Sequence, residues 1–290
     1  MARRGRHGYT PAVPAERIAL SLAFINWTVL TGLAVGAFAA IVVGRLRTDA
    51  TRGFLTFTGT CAVLLGLLAL LSDGALPSSL TGSPITADAS WTDPRRAALA
   101  LFCGLAAAYV IAIARGRRAA PLGLAAVGAG GAVLLFGALG WGGGAGGAIP
   151  LLVQLAVLTA ATGGVFASMI LGHWYLVTPK LSEGPLILYA RLLTLVIGIQ
   201  VALFVVWVAT GAGPAGGAPF AVLVGPWALF VWLRLIVGLL FPLVVSWAAI
   251  QTARSRSMES ATGLLYINVG TVAAGTILAA GLYFGAGLLV

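Results

Sequence analysis

Long runs of apolar residues, separated by short polar connections, dominate the chain. Each run has about 20 residues or more, the length that an α-helix needs to cross a bilayer. A transmembrane β-strand would instead alternate polar and apolar residues with a period of two. The pattern therefore predicts an all-α, polytopic integral membrane bundle with about eight transmembrane helices. The predicted helices cover residues 18–44, 53–72, 97–114, 119–141, 149–177, 185–209, 219–250 and 261–289.

The composition also indicates a membrane protein. Of the 290 residues, 60% are hydrophobic and only 8% are charged, whereas a soluble domain carries about 25% charged residues. Forty glycines are expected to let neighbouring helices approach closely, as the GxxxG pair Gly32 and Gly36 would. The cysteines Cys61 and Cys103 lie in apolar segments without a CxxC motif, which excludes a c-type haem or a cysteine-ligated iron–sulfur cluster within this chain.

Basic residues mark one side of the predicted bundle. A basic tail at residues 1–16 precedes a single transmembrane domain at residues 17–290. The positive-inside rule places the connections rich in Lys and Arg in the cytoplasm, and hence both termini outside a bacterial-type cytoplasmic membrane. The Arg-rich tail opposes this orientation. The net charge of +10 is explained by topology and lipid headgroups, so no nucleic-acid partner is predicted. The nine basic residues on the predicted cytoplasmic side are Arg45, Arg47, Arg52, Arg115, Arg117, Arg118, Lys180, Arg254 and Arg256.

Ionisable residues inside the apolar segments are few, namely His173, Arg191 and Arg234. An arginine at mid-helix costs about 2.5–3.5 kcal/mol on insertion scales, so it is expected to face a partner or a cavity. No Asp or Glu lies within the apolar segments, because Asp73 and Glu183 fall at segment ends. Both arginines are therefore predicted to meet an anionic or carbonyl-bearing partner. Candidates are a lipid phosphate, a quinone oxygen, a haem propionate and a carboxylate of another subunit.

The histidine count constrains haem binding. A transmembrane b-type haem is usually held by two histidines on facing helices, and this chain has only His173 and His7. Ligation by two histidines of this chain is therefore not expected. A five-coordinate haem b on His173, or a haem shared with another subunit, stays open. No other metal site is predicted.

The stretch from Met169 to Arg191 has the chemistry of a quinone or quinol site. Such a site needs an apolar slot, hydrogen-bond donors for the quinone oxygens, and a group that passes protons, as histidine does near neutral pH. The alternative is an interfacial aromatic belt with a structural histidine. No catalytic residue is assigned. The candidate ligand-binding residues are His173, Trp174, Tyr175, Tyr189, Arg191 and, deeper in the membrane, Arg234.

The helix count, the His/Tyr/Arg character of residues 169–191 and the stretch SATGLLYINVG at residues 260–270 resemble the NrfD-like, polysulfide-reductase-type membrane subunits of respiratory complexes. The resemblance implies a subunit that binds quinone without haem and works with iron–sulfur or cytochrome partners. No motif aligns residue by residue, so no family residue is assigned to a position here.

Three functions follow from these observations. The first is a membrane subunit of a respiratory or electron-transfer complex, with a quinone site near the cytoplasmic leaflet. The others are a structural subunit that packs around a larger complex, and a transporter of an anionic or small solute. A quinone-reactive or non-catalytic subunit of an oxidoreductase complex is favoured over a stand-alone enzyme, since no element of the sequence can receive electrons from a soluble donor. A membrane hydrolase is not expected, because no HExxH or GxSxG motif is present. Membrane lipids are expected partners in each case.

Overall fold

A computed structural model describes residues 13–78, 83–178 and 181–290, and the regular structure within these ranges is helical. Several helices are much longer than those of average soluble domains. Ten α-helices follow one another in the described ranges: α1 Pro14–Leu20, α2 Leu22–Arg47, α3 Arg52–Gly74, α4 Thr92–Ala114, α5 Ala120–Trp141, α6 Ala145–Val177, α7 Gly184–Thr210, α8 Ala228–Leu235, α9 Phe241–Arg254 and α10 Met258–Ala286.

Within the described ranges, eight helical segments are long and apolar enough to cross a membrane. Seven of them are α2 to α7 and α10, with α4 lengthened by a 3₁₀ turn at Ala89–Trp91. The eighth joins α8 to α9 through a π-helical turn at Ile236–Leu240. The prediction of an all-α polytopic bundle is confirmed, and the chain is an integral membrane protein.

Helix α2 lies at the centre of the bundle, where it contacts α3, α5, α6, α7 and α10. Its most extensive contact is with α6, and there the backbones meet at Gly36 and Gly163. A Cβ atom on Gly163 would overlap with the backbone of Gly36 and Ala37. The expectation that the GxxxG pair marks close helix packing is thus confirmed at Gly36.

The first predicted segment, residues 18–44, is interrupted near its start. The chain forms the short helix α1 and then α2, and Ser21 separates them. The Ser21 hydroxyl donates to the carbonyl oxygen of Ile18 at 2.9 Å, a local bond that competes with helix continuation. Of the predicted tail at residues 1–16, residues 1–12 lie outside the described ranges, and Pro14 begins α1.

The seventh predicted segment, residues 219–250, begins later than predicted. Phe220 has a left-handed conformation with φ of 60°, and α8 begins only at Ala228. Pro226 explains part of the delay, because a proline disfavours helical geometry at the residue before it. The start of this apolar run is therefore a folded connection with a short 3₁₀ turn at Ala221–Leu223, and not part of an α-helix.

Asp73 is buried, although the sequence places it at the end of an apolar segment. Its side chain is fully buried, and its carboxylate accepts from Arg95 Nε at 2.6 Å and from Arg96 Nε at 2.8 Å. The Arg95 guanidinium also lies 4.5 Å from the centroid of the Trp141 ring. These contacts join α3, α4 and α5 at one end of the bundle.

We predict that Asp73→Asn lowers the free energy of unfolding by about 3–5 kcal/mol, because it leaves Arg95 buried without a counter-charge. Thermal or SDS-induced unfolding in detergent micelles measures the loss. Arg96→Gln is the matched control, since the Arg96 side chain is 40% exposed and exposed pairs contribute about 0–1 kcal/mol. Equal losses of unfolding free energy in the two variants would contradict the interpretation that the buried Asp73–Arg95 pair is the main contact.

Candidate functional site

The six residues predicted to bind a ligand occupy separate places in the bundle. His173 and Arg191 are exposed, and Trp174 is half-buried. The other three are buried on different helices: Tyr175 on α6, Tyr189 on α7 and Arg234 on α8. They therefore do not form a single site.

His173 and Arg191 lie on the outer face of the bundle. His173 Nδ1 is 3.4 Å from the hydroxyl oxygen of Tyr266 on α10. Arg191 lies beside the buried stripe of α7, which includes Tyr189 and Leu193. Arg191 is exposed because its helix face points away from the bundle, so the anionic or carbonyl-bearing partner expected for it stays a prediction. Its long side chain suits a lipid phosphate at the membrane surface.

Trp174 contacts α3, and Tyr175 contacts the connection between α6 and α7. The Trp174 indole packs over Gly53 of α3, where a Cβ atom would collide with the ring. The Tyr175 hydroxyl donates to the carbonyl oxygen of Ser182 in the connection. The hydroxyl proton of Tyr175 is thus engaged in a hydrogen bond within the protein.

A surface ion pair joins this connection to the one between α9 and α10. Arg256 Nη2 lies 2.7 Å from Glu183 Oε2. The hydrogen bond and the charge of Arg256 lower the pKa of the Glu183 carboxyl. Glu183 is therefore ionised at neutral pH. Protonation as the pH falls through this lowered pKa removes whatever stability the exposed pair adds.

Tyr189 lines a lateral groove between α2, α6 and α7, and we call this space the α2/α6/α7 groove. The Tyr189 hydroxyl donates to the carbonyl oxygen of Ala40 at 2.7 Å. The groove has a volume of about 190 Å³, and its walls are mostly apolar. Its other polar side chain is Ser168, whose hydroxyl donates to Gly164 at 2.7 Å. Both oxygens keep lone pairs that accept a further hydrogen bond.

Arg234 lies deep in the bundle, with 3% of its surface exposed. Its Nη2 atom donates to Gln200 Oε1 at 2.6 Å, and its Nη1 atom donates to the carbonyl oxygen of Gly238 at 3.2 Å. Gln200 Nε2 in turn donates to the carbonyl oxygen of Val157 on α6 at 3.2 Å. The Arg234 guanidinium thus connects α7 and the π-helical turn, and Gln200 extends this network to α6.

The proline at position 242 explains why Gly238 can accept this bond. In a regular helix the carbonyl of Gly238 would accept from the N–H of residue 242, and proline has none. Arg234, Gly238 and Pro242 are spaced four residues apart, so they share one helix face. That spacing is visible in the sequence, and it would have predicted a carbonyl partner for Arg234.

The sequence prediction missed Gln200. No charge draws attention to this residue, and the only signal is a single amide within the apolar run of α7. It lies nine residues after Arg191, or roughly 13 Å along the helix. Arg234 is therefore deeper than the α6–α7 connection and does not line the α2/α6/α7 groove. In the described ranges its oxygen partners are neutral.

Haem b on His173 stays a prediction. The exposed position of His173 means that another subunit would have to enclose the haem. Comparisons with protein-family models, curated proteins and solved structures find no match to this chain.

We predict that Gln200→Leu lowers the free energy of unfolding by about 1.5–3 kcal/mol, the range for a hydrogen bond to a charged group. The double variant Gln200→Leu/Arg234→Met should recover most of this loss, because replacing both partners by apolar groups leaves no unpaired charge. Reversible unfolding in detergent micelles tests both. A double variant no more stable than Gln200→Leu would contradict the pairing.

Proposed function

We propose that this protein is the membrane subunit of an electron-transfer complex and holds a quinone or quinol in the α2/α6/α7 groove. The observation that carries the proposal is a mostly apolar groove with two hydroxyl oxygens, those of Tyr189 and Ser168. Ligand sites commonly combine apolar walls with a few polar groups that fix orientation. A quinol hydroxyl would donate to the free lone pairs of these oxygens.

The size of the groove suits a ring headgroup. Its volume of about 190 Å³ is below the roughly 300–1,000 Å³ of sites that enclose a whole drug-sized ligand. The isoprenoid tail of a quinone would therefore remain in the lipid beside α2 and α7. Arg191 precedes Leu192, which lines the groove, and its exposed guanidinium is a donor for a quinone oxygen at the entrance.

The proposed function requires a partner subunit, because a bound quinone must exchange electrons with a donor or an acceptor. The resemblance to NrfD-like subunits would supply an iron–sulfur or cytochrome partner. The exposed pair of His173 and Tyr266 offers polar contacts for such a partner on the surface of the bundle. With the basic connections in the cytoplasm, Tyr189 lies in the cytoplasmic leaflet.

One observation favours a structural subunit instead. The hydroxyls of Tyr175 and Tyr189 already donate to backbone carbonyls, as residues that only stabilise the fold would do. In that case the groove would hold a lipid acyl chain. Quinone binding separates the two functions.

We predict that Gly164→Leu lowers the affinity for a short-chain quinone at least tenfold, because the new side chain fills the groove. A Cβ atom on Gly164 meets no atom within 4 Å, so the fold should be preserved. The measurement is a titration of the purified protein in nanodiscs, followed by intrinsic tryptophan fluorescence.

The matched control is Gly198→Leu. Gly198 is half-buried on the adjacent helix α7, and a Cβ atom there also meets no atom within 4 Å. It does not line the groove, so this variant should bind quinone like the unmodified protein. Absence of binding to the unmodified protein, or undiminished binding to Gly164→Leu, would refute the proposed site.

A further inference from the structure

Three arginines surround a cavity at the end of the bundle where α2 ends and α3 begins, and we call it the arginine cavity. Arg45 comes from the last turn of α2, Arg52 from the first residue of α3, and Arg117 from the connection after α4. The cavity has a volume of about 230 Å³, and Leu55 and Ile113 form its apolar side.

The fold brings these residues together by short connections. Only residues 48–51 separate α2 from α3, so Arg45 and Arg52 lie on the two arms of a tight helical hairpin. Helix α4 packs against α3 and ends at the same level. Gly116 then turns the chain with φ of +76°, and a Cβ atom there would lie 3.3 Å from Arg52 Nη2. The missing side chain leaves room for the Arg52 guanidinium.

No carboxylate compensates these charges in the described ranges. The ion pairs found there join Asp73 to Arg95 and Arg96, and Glu183 to Arg256. Asp49 is the carboxylate nearest in sequence, and its Oδ2 atom accepts from the Ser182 hydroxyl at 3.5 Å. Three like charges around one space repel each other, and an anion between them would convert this repulsion into attraction.

We infer that the arginine cavity binds a phosphate group, either of a phospholipid headgroup or of free phosphate. The planar guanidinium fork matches the oxygen geometry of phosphate and donates two hydrogen bonds to it. The cavity volume is several times the roughly 30 Å³ that one water molecule occupies in the liquid, so it admits a phosphate with bound water. The site lies where the apolar spans end, and lipid headgroups are expected at that level because the hydrocarbon core matches the length of the spans. This inference does not depend on quinone binding.

The chain provides a matched set of control residues. Both sets of arginines are exposed. Arg47, Arg115 and Arg118 lie close in sequence to the three cavity arginines but do not line the cavity. Replacing either set by glutamine removes three positive charges from the same end of the bundle. A general attraction between basic residues and anionic lipid would weaken equally in both triple variants. A specific phosphate site would lose binding only when the three cavity arginines are replaced.

The test compares Arg45→Gln/Arg52→Gln/Arg117→Gln with Arg47→Gln/Arg115→Gln/Arg118→Gln. Native mass spectrometry measures phosphatidylglycerol retained after transfer from nanodiscs into detergent, and isothermal titration measures inorganic phosphate binding to delipidated protein. We expect the cavity variant to lose at least tenfold in one of these two readouts, while the control variant stays within twofold of the unmodified protein. Loss of lipid retention identifies a headgroup, and loss of phosphate binding alone identifies free phosphate.

Two results would overturn the inference: equal losses in both triple variants, or no loss in the cavity variant. Thermal unfolding of each variant in detergent checks that the bundle is intact. If the cavity triple variant does not fold, Arg117→Gln replaces it, because Arg117 lies in a connection outside the helices. Arg118→Gln is then its control, with the same criteria.

Discussion

The direct contact between the backbones of α2 and α6 is the constraint around which this bundle is arranged. At Gly36 and Gly163 neither helix has room for a Cβ atom. In a bilayer the lipid is as apolar as the side chains, so helix association depends on close packing and hydrogen bonds more than on hydrophobic burial. Because α2 also contacts α3, α5 and α10, its position against α6 fixes where these helices lie.

The buried charges are arranged in two different ways. At one end, Asp73 compensates Arg95 directly, and the Trp27 and Trp141 rings lie beside the guanidinium. Deeper in the bundle, the partners of Arg234 among the described residues are the amide oxygen of Gln200 and a backbone carbonyl. Neutral oxygens do not cancel a charge, but they replace part of the water that the guanidinium loses. The π-helical turn before Pro242 is part of this arrangement, since it lies where the carbonyl of Gly238 is exposed to Arg234.

Both proposed sites involve α2 and lie near the same end of it. Ala40 and Val43 line the α2/α6/α7 groove, and Arg45 lines the arginine cavity. Ala40 and Arg45 are five residues apart, or about 7.5 Å along the helix. A lipophilic ring in the groove and a phosphate in the cavity would thus occupy neighbouring levels of one leaflet.

The sequence by itself determined that the chain is an all-α membrane bundle with about eight spans, because only helices satisfy the backbone over long apolar runs in lipid. It also showed which polar residues are costly to place in a membrane, but not whether their side chains face the lipid or the bundle interior. Lipid and the bundle interior are both apolar, so the faces of a membrane helix carry little of the amphipathic pattern that orients a soluble helix. Tertiary packing therefore decided that Arg191 is exposed and that Arg234 meets Gln200. It also decided that Tyr189 lines a groove while His173 lies outside it, since each position depends on which neighbouring helix covers that face.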